Sequence, residues 1–169
     1  MIQTIRGHSP QIHERAFVHP RATVIGQVII EEGASIWPGV ILRGDMGLIK
    51  IGKNSSIQDN TVCHMTLGFS SVIVGNNVTV GHNVTLHGCI IEDSCLIGMG
   101  SIILDEALIG TGSFVAAGSL ITGNKNIAPG SFMCGSPAKL LRAVNAKEKA
   151  MIQHSVETYL DIQSLYEQA

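Results

Sequence analysis

The chain has 169 residues, 45% of them hydrophobic, 14% charged and 4% aromatic, with a formal charge of −2. That length holds one domain with a sizeable core, and a near-neutral chain without a lysine or arginine block excludes nucleic acid and anionic membrane as partners. So sparse a charge cover points to surface buried against other subunits.

Residues 1–11 read as a lead-in broken by Gly7 and Pro10, with no apolar run of signal-peptide type. No later stretch reaches membrane-spanning length, so a cytoplasmic protein is expected. From Ile12 an apolar residue, mostly a branched aliphatic, recurs every sixth position: Val18, Val24, Ile30, Ile36 and Leu42. After a slip it resumes at Ile51, Ile57 and Cys63. After a second break it runs through Val74, Val80 and Leu86, steps five to Ile91, and continues in sixes from Ile97 to Met133. A period of six is neither helical nor simply alternating; sustained over the chain, it marks a solenoid. Each unit is too short to hide its aliphatic alone, so units stack and bury it together. The two breaks, 43–50 and 65–73, read as loops leaving the coil, where function concentrates.

The repeat ends near Met133. Gly135, Ser136 and Pro137 supply a turn, and Pro137 blocks further ladder pairing. Asn145 with Glu148 three residues on forms a capping box that opens a helix to about Tyr166. Ile152, Val156, Tyr159 and Tyr166 give it an apolar stripe for a prism face or a subunit boundary. A single domain over 1–169 follows, with the solenoid at 12–138 and the helix at 145–167. Four cysteines without C-x-x-C spacing read as free thiols in a reducing compartment.

Three histidines interrupt the repeat. Assigning units to three faces in turn puts those starting at 42, 63 and 86 on one face and those starting at 57 and 80 on the preceding face. His64 and His87 hold the second position of their units, so they stack one coil apart at about 4.8 Å, a spacing that suits two imidazoles on one metal. His82 lies around a corner, and a neighbouring copy on a threefold axis could supply it to the pair, giving a homotrimer with interfacial metal sites. Three neutral imidazoles with one open position are a catalytic zinc arrangement, which lowers the pKa of bound water to about 7. Iron(II) or cobalt(II) suits the same nitrogens. Asp59 takes the third position of its unit, as His82 does one coil later, and Gln58 lies beside it. Arg43 and Asp45 read as an interfacial ion pair or as catalytic groups. His8, His13, His19 and His154 read as surface residues.

These residues resemble the gamma-class carbonic anhydrase family: R-G-D at 43–45, Q-D at 58–59, Cys63-His64 and G-H-N-V-T-L-H at 81–87, on a hexapeptide scaffold with a C-terminal helix. The resemblance covers nearly the whole chain. It implies an all-β fold, a left-handed parallel β-helix of triangular section followed by an α-helix. It implies a lyase that reversibly hydrates CO2 to bicarbonate by a metal-bound hydroxide between the subunits of a homotrimer. His64 and His87 from one subunit and His82 from the next would be the ligands of Zn2+, or of Fe2+ or Co2+. Arg43 and Asp45 match the family's interface and anion-handling pair, Gln58 the residue that hydrogen-bonds the hydroxide, Asp59 its neighbour, and Tyr159 the helix tyrosine near the site. The chain departs from the archaeal prototype in having Met46 after Asp45 and no acidic residue in 65–73, so proton transfer falls to buffer, water or another group. The alternatives are a metal-dependent thioesterase on CoA esters, a hexapeptide acyltransferase, and a non-catalytic trimeric metal-binding protein.

Overall fold

The computed structural model describes residues 1–167, so residues 168–169 of the expected domain lie outside the described residues. The six-residue period becomes a left-handed parallel β-solenoid of about seven turns with one C-terminal helix. Short parallel strands stack in register on three faces. Val24, Leu42, Cys63, Leu86, Ile103 and Ile121 share the first face, each paired with the next. Ile51, Val74, Ile91 and Ile109 lie on the second. Val18, Ile36, Ile57, Val80, Ile97 and Val115 lie on the third.

The repeating aliphatics point into one continuous core, and most of them have no exposed surface. Burying each such side chain stabilises by about 1.5–3 kcal/mol, and stacking shares that core among all the coils. The corners explain the rest of the unit. Its fourth residue turns the chain in the left-handed region, as at Asn54, Asn60, Asn77, Asn83 and Asn124, with φ between 54° and 60°. Asparagine tolerates that conformation better than other L-residues with a side chain of similar size.

Four features differ from the sequence reading. Stacking begins before residue 12, because Ile2–Gln3 already pairs in parallel with Val24 and Ile25. Residues 43–50 are no loop: Ile41–Ile51 is one strand that rounds the corner from the first face to the second. Its partner Thr23–Ile30 places Gly26 opposite Gly44 and Val28 opposite Ile49, so residues 45–48 face Gln27 alone. The extra residues are absorbed as a bulge that keeps the pairing on both sides. Pro137 ends the parallel stack, yet Ala138–Ala143 folds back antiparallel onto Ser131–Gly135. Finally, His19 is no isolated surface residue; its ring meets Phe17 and Tyr166 edge-on. The second break is an expelled loop as expected, over 65–71, with Met65 buried at its root and Leu67 and Phe69 exposed at its tip.

The helix α1 (Ala146–Glu167) starts at the expected capping box. The Asn145 side-chain oxygen accepts from the Lys147 and Glu148 amides, and Glu148 accepts from the Asn145 amide at 2.8 Å. Arg142 grips the same carboxylate with two bonds, at 2.8 and 2.9 Å. The helix lies along the third face, where Ser155 bonds Thr79 and the Tyr159 and Tyr166 rings pack edge-on against Trp37. Each such aromatic pair adds about 0.5–1.5 kcal/mol beyond its burial. The helix therefore covers one face and leaves the other two open. Among the described residues, no helix is long and apolar enough to cross a membrane.

Candidate metal centre

The parallel register carries the candidate side chains to two places. Because Leu86 pairs with Cys63, the residues after them also pair, and His87 stands directly beside His64. Their ring centroids are 5.4 Å apart. Both strands run one residue past the usual two, so the imidazoles project outward from the first face near its corner.

Asp45, carried out by the bulge, ties this pair to Arg43. Its Oδ2 accepts from Arg43 Nη1 at 2.8 Å and its Oδ1 faces His64 Nε2 at 3.2 Å. Burial acts to raise the Asp45 carboxyl, but the hydrogen bonds from Arg43 and His64 outweigh it and hold it below its ordinary value. For His64 the balance runs the other way. Burial and then the Arg43 charge lower its pKa, outweighing Asp45, which favours the neutral imidazole that a cation requires.

The second cluster lies on the third face and its exit corner. Asp59 and His82 occupy equivalent positions on adjacent coils, and Asp59 Oδ2 lies 2.9 Å from His82 Nδ1. Gln58, next to Asp59, is buried. Tyr159 reaches this cluster from α1; burial first and the nearby Asp59 charge second push its hydroxyl above its ordinary range, so it stays protonated. The structure thus groups Arg43, Asp45, His64 and His87 on one face, and Gln58, Asp59, His82 and Tyr159 on another.

The sequence reading missed Asp105 and Ser70. Asp105 is in the third position of the unit one coil beyond His87, and its Oδ2 lies 2.7 Å from His87 Nδ1. Ser70, in the expelled loop, donates to the other carboxylate oxygen at 2.5 Å. Burial acts to raise the Asp105 carboxyl, and the bonds from Ser70 and His87 overcome it, leaving it lowered. The same register count that paired Asp59 with His82 would have found Asp105, had it allowed a one-position offset between coils.

The donor chemistry can be tested against a metal. An ionised carboxylate only accepts, so the nitrogen facing it carries the proton. His87 gives Nδ1–H to Asp105, leaving its Nε2 with a free lone pair, while His82 Nδ1 lies within ion-pair distance of Asp59 Oδ2. For His64 the nitrogen turned to the carboxylate is Nε2, and Nδ1 is the free one. Carboxylate-buttressed imidazoles are the surroundings metal-binding histidines have. Among the described residues of one chain, however, no group of three or more His, Cys, Asp or Glu side chains is arranged to hold a metal ion. The paired imidazoles fit a cation as part of a site, and a single chain does not complete one.

Comparison with known proteins adds the chain's relatives. The model of the family described as bacterial transferase hexapeptide (six repeats) matches residues 9–44 and 88–123. Gamma carbonic anhydrase 1, mitochondrial, of Arabidopsis thaliana is 40% identical over 159 residues, 91% of this chain and 58% of that protein. The chain thus spans about three fifths of the length of such plant relatives. Protein YrdA of Escherichia coli is 37% identical over 95% of this chain and 90% of its own. Among solved structures, a putative acetyltransferase of Bacillus cereus is 36% identical and superposes with a TM-score of 0.94, covering 99% of this chain and 96% of that one.

Proposed function

The chain belongs to the hexapeptide-repeat proteins, in the gamma-class carbonic anhydrase family, and from that premise we propose that it is a metal-dependent, carbonic anhydrase-like lyase that interconverts CO2 and bicarbonate between the subunits of a homotrimer. One observation carries this reading: the three histidines, each facing an aspartate, fall into two clusters on different faces, with His64 and His87 in one and His82 in the other. A threefold arrangement of copies brings the His82 corner of one against the His64–His87 face of the next and completes three ligands at each junction. The first face suits such a contact. Its outward row includes Ile41 and Ile102, 38% and 41% exposed, and the helix does not cover it.

Zn2+, Fe2+ or Co2+ bound by these nitrogens supplies Lewis acidity that yields a nucleophile from water at neutral pH. The chain's own groups do the remainder. Gln58, next to Asp59 in the chain, would orient the attacking oxygen through its side-chain amide. Asp59 lies 2.9 Å from His82 Nδ1, and the protonated Tyr159 hydroxyl bounds the site without adding charge. Arg43, which gives Asp45 one hydrogen bond and keeps its side chain 40% exposed, favours the bicarbonate anion as CO2 is hydrated. Asp45 and Asp105 keep the His64 and His87 imidazole N–H protons in place, and the proton released in each hydration comes from water and leaves through solvent or buffer.

Rapid-mixing CO2 hydration on metal-quantified protein, beside His82→Ala, tests the proposal. Turnover that rises with metal content and is lost in the variant supports it. A metal-loaded trimer inactive across buffers rules it out.

A second reading, hydrolysis of a CoA thioester at the same centre, is favoured by a groove of about 710 Å³ beside Ser70 and Gly88, lined by Phe69, Ile90, Asn124 and Lys125. Carbon dioxide does not need that space. Release of thiol from acyl-CoA by the metal-loaded protein, without CO2 turnover, would favour this second reading.

A further inference from the structure

Each of the three histidines faces an aspartate, and the His87 partner is the one tied to the expelled loop. Asp105 makes the shortest of the three contacts, 2.7 Å against 2.9 Å for Asp59 and 3.2 Å for Asp45. Its second oxygen is engaged by Ser70, a residue of the expelled loop. Ser70 is itself held: its Oγ accepts from the Thr66 amide at 3.3 Å, and its own amide donates to the Thr66 carbonyl at 3.3 Å. The loop is thus a closed turn that delivers the Ser70 hydroxyl to the Asp105 carboxylate, with the Thr66 side chain bonding the same carboxylate more weakly.

Gly88 shows how closely these groups pack. It follows His87 with φ +62°, and a Cβ there would lie 2.2 Å from both Asp105 Oδ1 and Ser70 Oγ. The backbone leaves room for the Ser70–Asp105–His87 chain and for no side chain beneath it.

We propose that Asp105 is the positioning residue for His87, and that Ser70 latches the 65–71 loop to it, so that the loop's placement and the presentation of the His87 Nε2 lone pair are coupled. This rests on the reading of His87 as a metal ligand. With both carboxylate oxygens committed, Asp105 accepts from His87 Nδ1–H in one geometry, which fixes the tautomer as well as the ring plane. An asparagine can offer that nitrogen either a donor or an acceptor, so both tautomers become populated and only one presents Nε2. Loss of such a partner lowers metal affinity by about 10–100-fold. Removing Ser70 leaves the Asp105–His87 bond and the Thr66 contact but loosens the carboxylate, which costs less affinity and loosens the loop.

The test uses the assembled protein with Co2+ as the probe, its affinity read from visible absorption under chelator competition. Nitrogen NMR of the His87 ring in metal-free protein gives a readout independent of activity. Wild type should show the Nδ1–H tautomer. Asp105→Asn should show a mixture and bind Co2+ about 10–100-fold more weakly, with Asp105→Glu recovering part of the loss. Ser70→Ala should bind Co2+ less than about tenfold more weakly and exchange the amides of 66–71 faster. Wild-type Co2+ affinity and a single tautomer in Asp105→Asn overturn the proposal while leaving the metal centre standing. If wild type itself binds no Co2+, the metal centre fails and the proposal with it. Should Asp105→Asn not fold, Ser70→Ala decides: unchanged amide exchange and affinity overturn the coupling.

Discussion

Asp59 Oδ2 lies 2.9 Å from His82 Nδ1, on a face that His64 and His87 do not share. On the proposed reading His82 meets the His64–His87 pair from another copy, and subunit mixing tests this. His64→Ala and His82→Ala preparations should each lack metal-dependent turnover. Dissociated, mixed in equal amounts and reassembled, they should recover about a quarter of wild-type activity, because about one junction in four pairs an intact His64–His87 face with an intact His82. No recovery in reassembled mixed trimers would show that the ligands do not come from different chains.

The start of α1 carries a pH dependence of known sign. Two bonds from Arg142, and then the Asn145 amide, pull the Glu148 carboxyl from 4.5 down to about 2. A folded-state pKa below the unfolded one stabilises above pH 4.5, and the stabilisation is lost as pH falls toward 2. Glu148→Gln keeps an oxygen for the cap but removes the charge facing Arg142. Its Tm should therefore lie below wild type at pH 5–7 and converge with it near pH 2. A constant gap across that range would assign the effect to packing.

The sequence carried the scaffold and the pairing of His64 with His87 because both follow from counting. Once Leu86 sits on Cys63, the next residues must meet. Counting also put Asp59 beside His82. It failed where the chain solved a geometric problem without breaking the ladder. The Ile41–Ile51 strand absorbs its extra residues as a bulge, which projects Asp45 to His64 and leaves no turn signature. The Ala138–Ala143 strand follows a proline that ends parallel stacking but permits a hairpin. Asp105 reaches back across coils by a one-position offset that period six does not display. The face that α1 covers depends on contacts of Trp37 with Tyr159 and Tyr166, made across more than a hundred residues of chain, which no local pattern encodes.

The four cysteines should separate cleanly by reactivity. Burial pushes the Cys63 thiol up to about 12 and Cys95 up to about 11, and raises Cys89 as well. All three line the interior, whereas Cys134 is exposed in the closing hairpin. Thiolate is the reactive form, so a disulfide reagent at pH 8 should titrate one thiol quickly in native protein and all four after denaturation. Cys134→Ser should abolish the fast phase. A second fast thiol in native protein would mean that the coils open on the reagent's timescale.

Gly88→Ala should be among the most damaging small substitutions in the chain. The left-handed backbone at φ +62° strains any L-residue with a Cβ, by about 1–2 kcal/mol. The added methyl also meets two oxygens already bonded to each other, and the Asp105 carboxylate cannot move without leaving His87. Total destabilisation of about 2–4 kcal/mol is expected from strain plus the disrupted bond, read as a lower denaturation midpoint at unchanged m-value. Gly100→Ala provides the control: φ is similar at +68°, but a Cβ there meets nothing within 4 Å. It should cost only the backbone strain and leave metal affinity unchanged, whereas Gly88→Ala should lose both. Equal losses in the two variants would mean that crowding at the Ser70–Asp105 bond contributes nothing.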